Sequence, residues 1–297
     1  MSTPYRAPKG APRTHMNRRL AIAVASAVLC LAATPAFALF ANGGFEQNDF
    51  TGWTLGGGTN TGLVGVEPFT GASILITPGP PGPASIVGQL IDPLAPTIVL
   101  PRVGQLTAKL NDENTGGLVT TLVQTDTISN ADIDPADGLP HIRFAFAPVM
   151  DDPNHSPEEQ PYFYVAVRNL ADNSLLFEQF AYSGQAGVNF LSGSGSWKYL
   201  EFQNVDVVLP LSAVGQQVEL TVIAADCSLG GHAGYVYIDG FGSSNIPPPA
   251  GAPVATEVPV NQPAVMALLA ILLGFMGWRA KRLRAAPSTH GQTRRPG

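Results

Sequence analysis

Polar and apolar positions alternate with a period of two through much of the chain, and almost nowhere with the 3.6-residue period of an amphipathic helix. HIRFAFAPV sets Ile142, Phe144 and Phe146 on one face, and QQVELTVIA does the same with Val218, Leu220 and Val222. In YFYVAVRNL, Phe163, Val165 and Val167 point one way while Tyr162 and Tyr164 point the other. LLFEQFAY, WKYLEFQNV and YVYIDGF read similarly, and turn-forming stretches separate them: ADNS (171–174), SGSGS (192–196) and SLGGH (228–232). Several short strands joined by tight turns, with no crossover helices between them, predict an all-β fold built as an antiparallel two-sheet sandwich. No repeat of fixed period is present, so a single β domain over 39–244 is expected.

Two segments break the alternation. MNRRLAIAVASAVLCLAATPAFA carries arginines at 18 and 19, an apolar core from Leu20 to Ala33, and Ala36 and Ala38 in the A-x-A spacing read by signal peptidase. Residues 1–38 therefore read as an N-terminal signal helix cut after Ala38, with Met16 as an alternative start. Near the other end, AVMALLAILLGFMGW is uninterruptedly apolar and is followed by RAKRLR. A single transmembrane helix over 264–280 is expected, with the basic tail 281–297 left in the cytoplasm by the positive-inside rule. NIPPPAGAPVATEVPVNQP (245–263) is a Pro/Ala-rich linker with no periodicity, suited to an extended spacer.

Charge sharpens this division. The chain has 16 Lys and Arg against 22 Asp and Glu, a net of −6. All 22 carboxylates lie between Glu46 and Glu257, where only Arg102, Lys109, Arg143, Arg168 and Lys198 oppose them. Such a surface repels phosphate backbones and attracts divalent cations, so no nucleic-acid partner is expected. Charged residues are only 13% of the chain, while glycine (32) and proline (27) are abundant, in keeping with strands and turns.

The C-terminal order of VPVNQP, apolar helix and Arg/Lys cluster resembles the PEP-CTERM and IPTL-CTERM sorting tails, although Val258-Pro259-Val260-Asn261 replaces either short motif. The resemblance implies a Gram-negative exported protein, held in the inner membrane by its tail and passed by an exosortase-type sorting enzyme to the cell surface or the medium. The opening NGGFEQNDFTGW (42–53) resembles the first strand of jelly-roll carbohydrate-binding modules and galactose-binding-like domains, and GYVYIDGFG (234–242) resembles their closing strand. In those folds the two strands are neighbours and often hold a structural calcium ion. The resemblance assigns carboxylate ligands to Glu46 and Asp239, with backbone carbonyls near Asn42 or Gly44 completing the oxygen shell.

Other residues carry weaker signals. Phe45 and Trp53 read as core. Trp197, Tyr162 and Tyr164 are candidates for aromatic contact with a sugar. NADIDPADG places Asp132, Asp134 and Asp137 at a spacing seen in calcium loops, but without a distal glutamate, so an ordinary acidic turn competes with a second metal site. In ADCSLGGHAGYVYIDG, Asp226, Cys227 and His232 contain the atoms of a thiol nucleophile and its base, yet the glycines explain the segment as a turn feeding the last strand. Cys227 is the only cysteine left after signal removal and is expected to be buried. There is no G-x-S-x-G, H-E-x-x-H, C-x-x-C or phosphate-binding glycine loop. These readings favour a non-catalytic surface or secreted protein that binds extracellular polysaccharide through a calcium-stabilised sandwich. A purely structural matrix component and a polysaccharide-acting hydrolase are the alternatives.

Overall fold

The computed structural model describes residues 39–242 and 244–246. The expected signal segment 1–38, nearly all of the linker, the apolar segment 264–280 and the basic tail lie outside the described residues, among which no helix is long and apolar enough to cross a membrane.

Strands follow one another as the alternation predicts. They are β1 (Thr54–Leu63), β2 (Ile74–Pro78), β3 (Ala84–Val87), β4 (Leu90–Ile91), β5 (Val99–Leu100), β6 (Thr107–Leu110), β7 (Leu118–Thr127) and β8 (Ile133–Asp134). The second half adds β9 (Leu139–Asp151), β10 (Tyr162–Asn169), β11 (Leu175–Tyr182), β12 (Leu191–Ser192), β13 (Trp197–Tyr199), β14 (Gln203–Val208), β15 (Gln217–Ala225) and β16 (Gly234–Gly242). One sheet runs β11-β10-β15-β7-β1-β2. The other runs β12-β13-β9-β16-β6-β3, with β14 and β8 also paired to β9, and every pairing is antiparallel. The small β4-β5 pair stands apart.

The two sheets close over one core. Phe144 and Phe146 of β9 and Val236 and Ile238 of β16 face Phe163, Val165 and Val167 of β10 and Val218, Leu220 and Val222 of β15. Both outer faces are covered as well. Tyr162, Tyr164, Tyr182 and Ile223 pack under Phe69 on one side, and a Cβ placed on Gly71 would fall 2.4 Å from the Tyr164 ring, which shows how closely that loop lies on the sheet. On the other side Tyr199, Tyr235 and Tyr237 pack under Ala95, Ile98 and Leu100. Asp92 anchors this second cover, accepting hydrogen bonds from the hydroxyls of Tyr235 (2.8 Å) and Tyr237 (2.7 Å) and from the N–H of Leu94 and Ala95. Strands buried on both faces lose strict polar alternation, which is why the first six residues of β10 and of β16 are all buried.

Candidate functional site: the seam between the opening and closing segments

The opening segment is a succession of tight turns, not the strand its sequence suggests; the first strand begins only at Thr54. Phe40, Asn42, Phe45 and Asn48 all adopt left-handed backbone (φ 67°, 54°, 58° and 60°), a conformation that cannot continue a pleat. Short bonds lock the turns: Gly43 N–H to the Phe40 carbonyl (3.1 Å), Phe45 N–H to Asn42 (3.0 Å) and Asn48 N–H to Phe45 (2.9 Å). The coil is anchored from inside, because Phe45 is buried against Trp53 (centroids 5.4 Å apart) and Trp53 against Phe241 (5.2 Å). Both aromatic rings are core, as their sequence context suggests.

The coil and the end of β16 touch directly. Phe241 N–H donates to the Gly43 carbonyl at 3.0 Å, and a Cβ at Gly43 would stand 2.0 Å from the Phe241 oxygen, so only glycine permits this approach. Glu46 and Asp239 both bond to the same stretch, 102–107. Glu46 Oε1 accepts from the N–H of Gln105 (2.8 Å) and Leu106 (3.2 Å). Asp239 Oδ2 accepts from the N–H of Arg102 (3.0 Å) and Val103 (2.9 Å) and from the Thr107 hydroxyl (2.8 Å). Gly104 lies in sequence between the two pairs of N–H donors, and a Cβ there would sit 2.1 Å from Glu46 Oε1.

The two acids differ in surroundings. Glu46 is exposed, whereas Asp239 is fully buried, and its second oxygen, Oδ1, is buried with no hydrogen-bond partner. Burial pushes the Asp239 carboxyl up to about 6, against the opposite pull of the Val103 N–H, the Thr107 hydroxyl and the neighbouring backbone. Burial likewise lowers the pKa of Arg102, with the charge of Asp239 acting the other way. The Asn42 carbonyl already accepts from Phe45 N–H and from Trp53 Nε1–H (3.2 Å), which leaves Gly44 as the freer carbonyl of the expected oxygen set. A buried carboxylate oxygen lacking a donor, with a second carboxylate bonded to the same loop, is chemistry that suits a hard cation.

The acidic turn at 130–138 is arranged otherwise. Asp132 accepts from the N–H and hydroxyl of Ser129 (2.7 and 2.8 Å) and from Leu39 N–H (3.2 Å), capping a single turn of 3-10 helix. Asp134 pairs with Arg143 Nη2 at 2.7 Å, and Asp137 with His141 Nε2 at 3.0 Å. Asp206 completes the group, meeting His141 Nδ1 at 2.5 Å and Arg143 Nε at 2.9 Å. Each aspartate thus has its own partner on the chain, and the three are turned to different neighbours. Backbone N–H bonds first, then Arg143 or His141, hold Asp134 and Asp137 below the usual carboxylate range. Burial opposes the charge on His141, yet its bonds to Asp206 and Asp137 prevail and raise its pKa.

Of the aromatic candidates, Tyr162 and Tyr164 are packed beneath the loop that carries Phe69 and present no platform. Trp197 remains partly exposed near the sheet edge, its ring against Tyr235 at 5.6 Å, while Lys109 Nζ caps the same tyrosine ring at 3.9 Å. Cys227 is buried, as expected.

No family profile and no curated protein match the chain. Among solved structures it is similar to a carbohydrate-binding module of the β-sandwich superfamily (12% identity, TM-score 0.32), over 71% of this chain and 62% of that one. It is also similar to the module CBM27-1 of Caldicellulosiruptor saccharolyticus, solved with mannohexaose (12%, TM-score 0.29, 54% and 80%). The K2 cleaved adhesin domain of Lys-gingipain gives a comparable likeness (12%, TM-score 0.29, 67% and 93%).

Proposed function

We propose that the protein is a non-catalytic, exported β-sandwich that binds extracellular polysaccharide and is stabilised by a calcium ion at the seam. The single observation that carries this reading is that Glu46 and Asp239 both bond to one loop, with Asp239 Oδ1 buried and without a donor. Calcium takes six to eight oxygens; Glu46, Asp239, the Gly44 carbonyl and water are the set available to it here. Export is supported at residue 39. Cutting after Ala38 would turn the Leu39 nitrogen into an α-ammonium group, and that nitrogen already stands 3.2 Å from the buried Asp132 carboxylate. Signal peptidase and, at the C-terminal tail, an exosortase-type enzyme complete the route to the inner membrane and then the cell surface.

For polysaccharide contact, Trp197 offers an aromatic face held rigid by Tyr235 behind it. Pull-down of the purified chain on insoluble polysaccharides, with a glycan array alongside, is expected to show retention that Trp197→Ala weakens about fivefold or more. Blank arrays and pull-downs at high protein concentration would overturn the reading, and self-association without sugar retention would point to a structural matrix role instead.

A further inference from the structure

The residues between β15 and β16 form a second, chemically different constellation. Cys227 N–H donates to the His232 carbonyl (2.9 Å) and Gly230 N–H to the Cys227 carbonyl (3.0 Å), with Gly230 in left-handed backbone (φ 74°). This closed turn sets the two side chains side by side, with Cys227 Sγ 3.7 Å from His232 Nδ1. His232 N–H also donates to the sulfur at 3.3 Å, which fixes the sulfur beside the ring.

His155 arrives from a separate loop, between β9 and β10, and that loop is stitched to the turn. Ser228 N–H donates to the Glu159 carbonyl (3.0 Å), and the buried Gln160 side chain donates to the His155 carbonyl (3.2 Å). The His155 ring stands edge-on to His232, centroids 4.9 Å apart at 85°, and one ligand atom from each of His155, Cys227 and His232 lies within 4.8 Å of the others. His155 Nδ1 is buried and has no hydrogen-bond partner.

We propose that His155, Cys227 and His232 bind one zinc ion. A thiolate and two neutral imidazoles are the soft-to-borderline donor set that zinc takes and calcium does not. Tetrahedral bonds of about 2.3 Å to sulfur and about 2.0 Å to nitrogen put the two donor atoms about 3.5 Å apart, close to the Cys227–His232 separation of 3.7 Å. Binding releases the thiol proton, water fills the fourth position, and the one cysteine of the domain becomes protected from oxidation. The ion would tie the 155–160 loop to the turn before β16. This site is independent of the calcium seam and of any sugar bound by the protein.

Cobalt(II) titration of the reduced, chelator-treated full-length chain tests the assignment. One ion per chain is expected, with thiolate-to-cobalt charge-transfer absorption and tetrahedral d–d bands, displaced by zinc and not by calcium. His155→Ala should weaken uptake by about 100-fold or more, since even outer-shell changes cost about 10–100-fold; Cys227→Ser should remove the charge-transfer band. Because Cys227 is buried, its substitution could prevent folding, so His155→Ala, checked by circular dichroism, keeps the test decisive. No absorption with excess cobalt while the thiol titrates as free would overturn the proposal. So would cobalt uptake that His155→Ala leaves unchanged, or capture of copper(I) alone.

Discussion

Strand β16 has acceptor groups of two kinds at its ends. His232 precedes it by two residues and belongs to a nitrogen and sulfur cluster with Cys227 and His155, whereas Asp239 near its far end shares a loop with the carboxylate of Glu46. At the Asp239 end, backbone N–H groups of one loop already bond one oxygen of each carboxylate, so the seam is part of the folding framework whether or not an ion joins it. At the His232 end the side-chain atoms face one another with few donors from elsewhere. The difference separates side chains bonded into the backbone framework from side chains gathered mainly against one another, although both sets consist of residue types that bind metals.

The largest expected effect breaks the seam. Asp239→Ala would leave the N–H groups of Arg102 and Val103 and the Thr107 hydroxyl without their acceptor, costing about 3 kcal/mol or more in a urea melt. It should also abolish the rise in melting temperature expected of the wild type in calcium over chelator, while cobalt uptake at the other end of β16 survives. For a ligand at 100 times its dissociation constant that calcium stabilisation is about 2.7 kcal/mol. A wild-type midpoint indifferent to calcium would remove the ion from the seam.

A change of pH separates the same two ends with a smaller effect. Burial raises Asp239 to about 6 and Asp226 to about 7, so between about pH 4 and those values the native state binds more protons than the unfolded chain. Stability in chelator should therefore fall as pH rises through that window. Calcium should flatten the part due to Asp239 and leave the part due to Asp226. Denaturation midpoints across pH 4–8, with and without calcium, give the comparison; parallel curves would show that the ion does not touch Asp239.

The smallest effect is a control that should disturb neither end. His141→Gln removes ion pairs to Asp137 and Asp206, both substantially exposed, and should cost about 1 kcal/mol or less. Because the folded pKa of His141 is raised, that contribution is complete below about pH 6.5 and disappears as pH climbs through the raised value. Urea melts at pH 5.5 and pH 8.5 should show the loss only at the lower pH. Altered metal response in this variant would mean that the ionic network and β16 are coupled.

The strands were legible because period-two runs such as HIRFAFAPV and QQVELTVIA have few other ways to bury Phe144, Phe146, Leu220 and Val222. The covers over the outer faces were not, since the loops carrying Phe69 and Ile98 have no periodicity, and only packing shows why Tyr164 and Tyr237 are buried. NGGFE gave the adjacency of the opening and closing segments but not their shape, because left-handed Phe45 is imposed by the core around Trp53. Asp132, Asp134 and Asp137 looked like one cluster by spacing, while their cationic and capping partners lie elsewhere in the chain or depend on the turn itself. Cys227 and His232 were visible as a pair, yet His155 sits 72 residues before Cys227 and joins them only through the fold.

The position of β16 between β9 and β6 has a mechanical consequence. A pull applied at the C-terminal end of β16 would act on its ladders to β9 and to β6 at once. The Gly43–Phe241 contact stands where that force arrives, which makes the coil of turns at the start of the domain the clasp on its load-carrying strand.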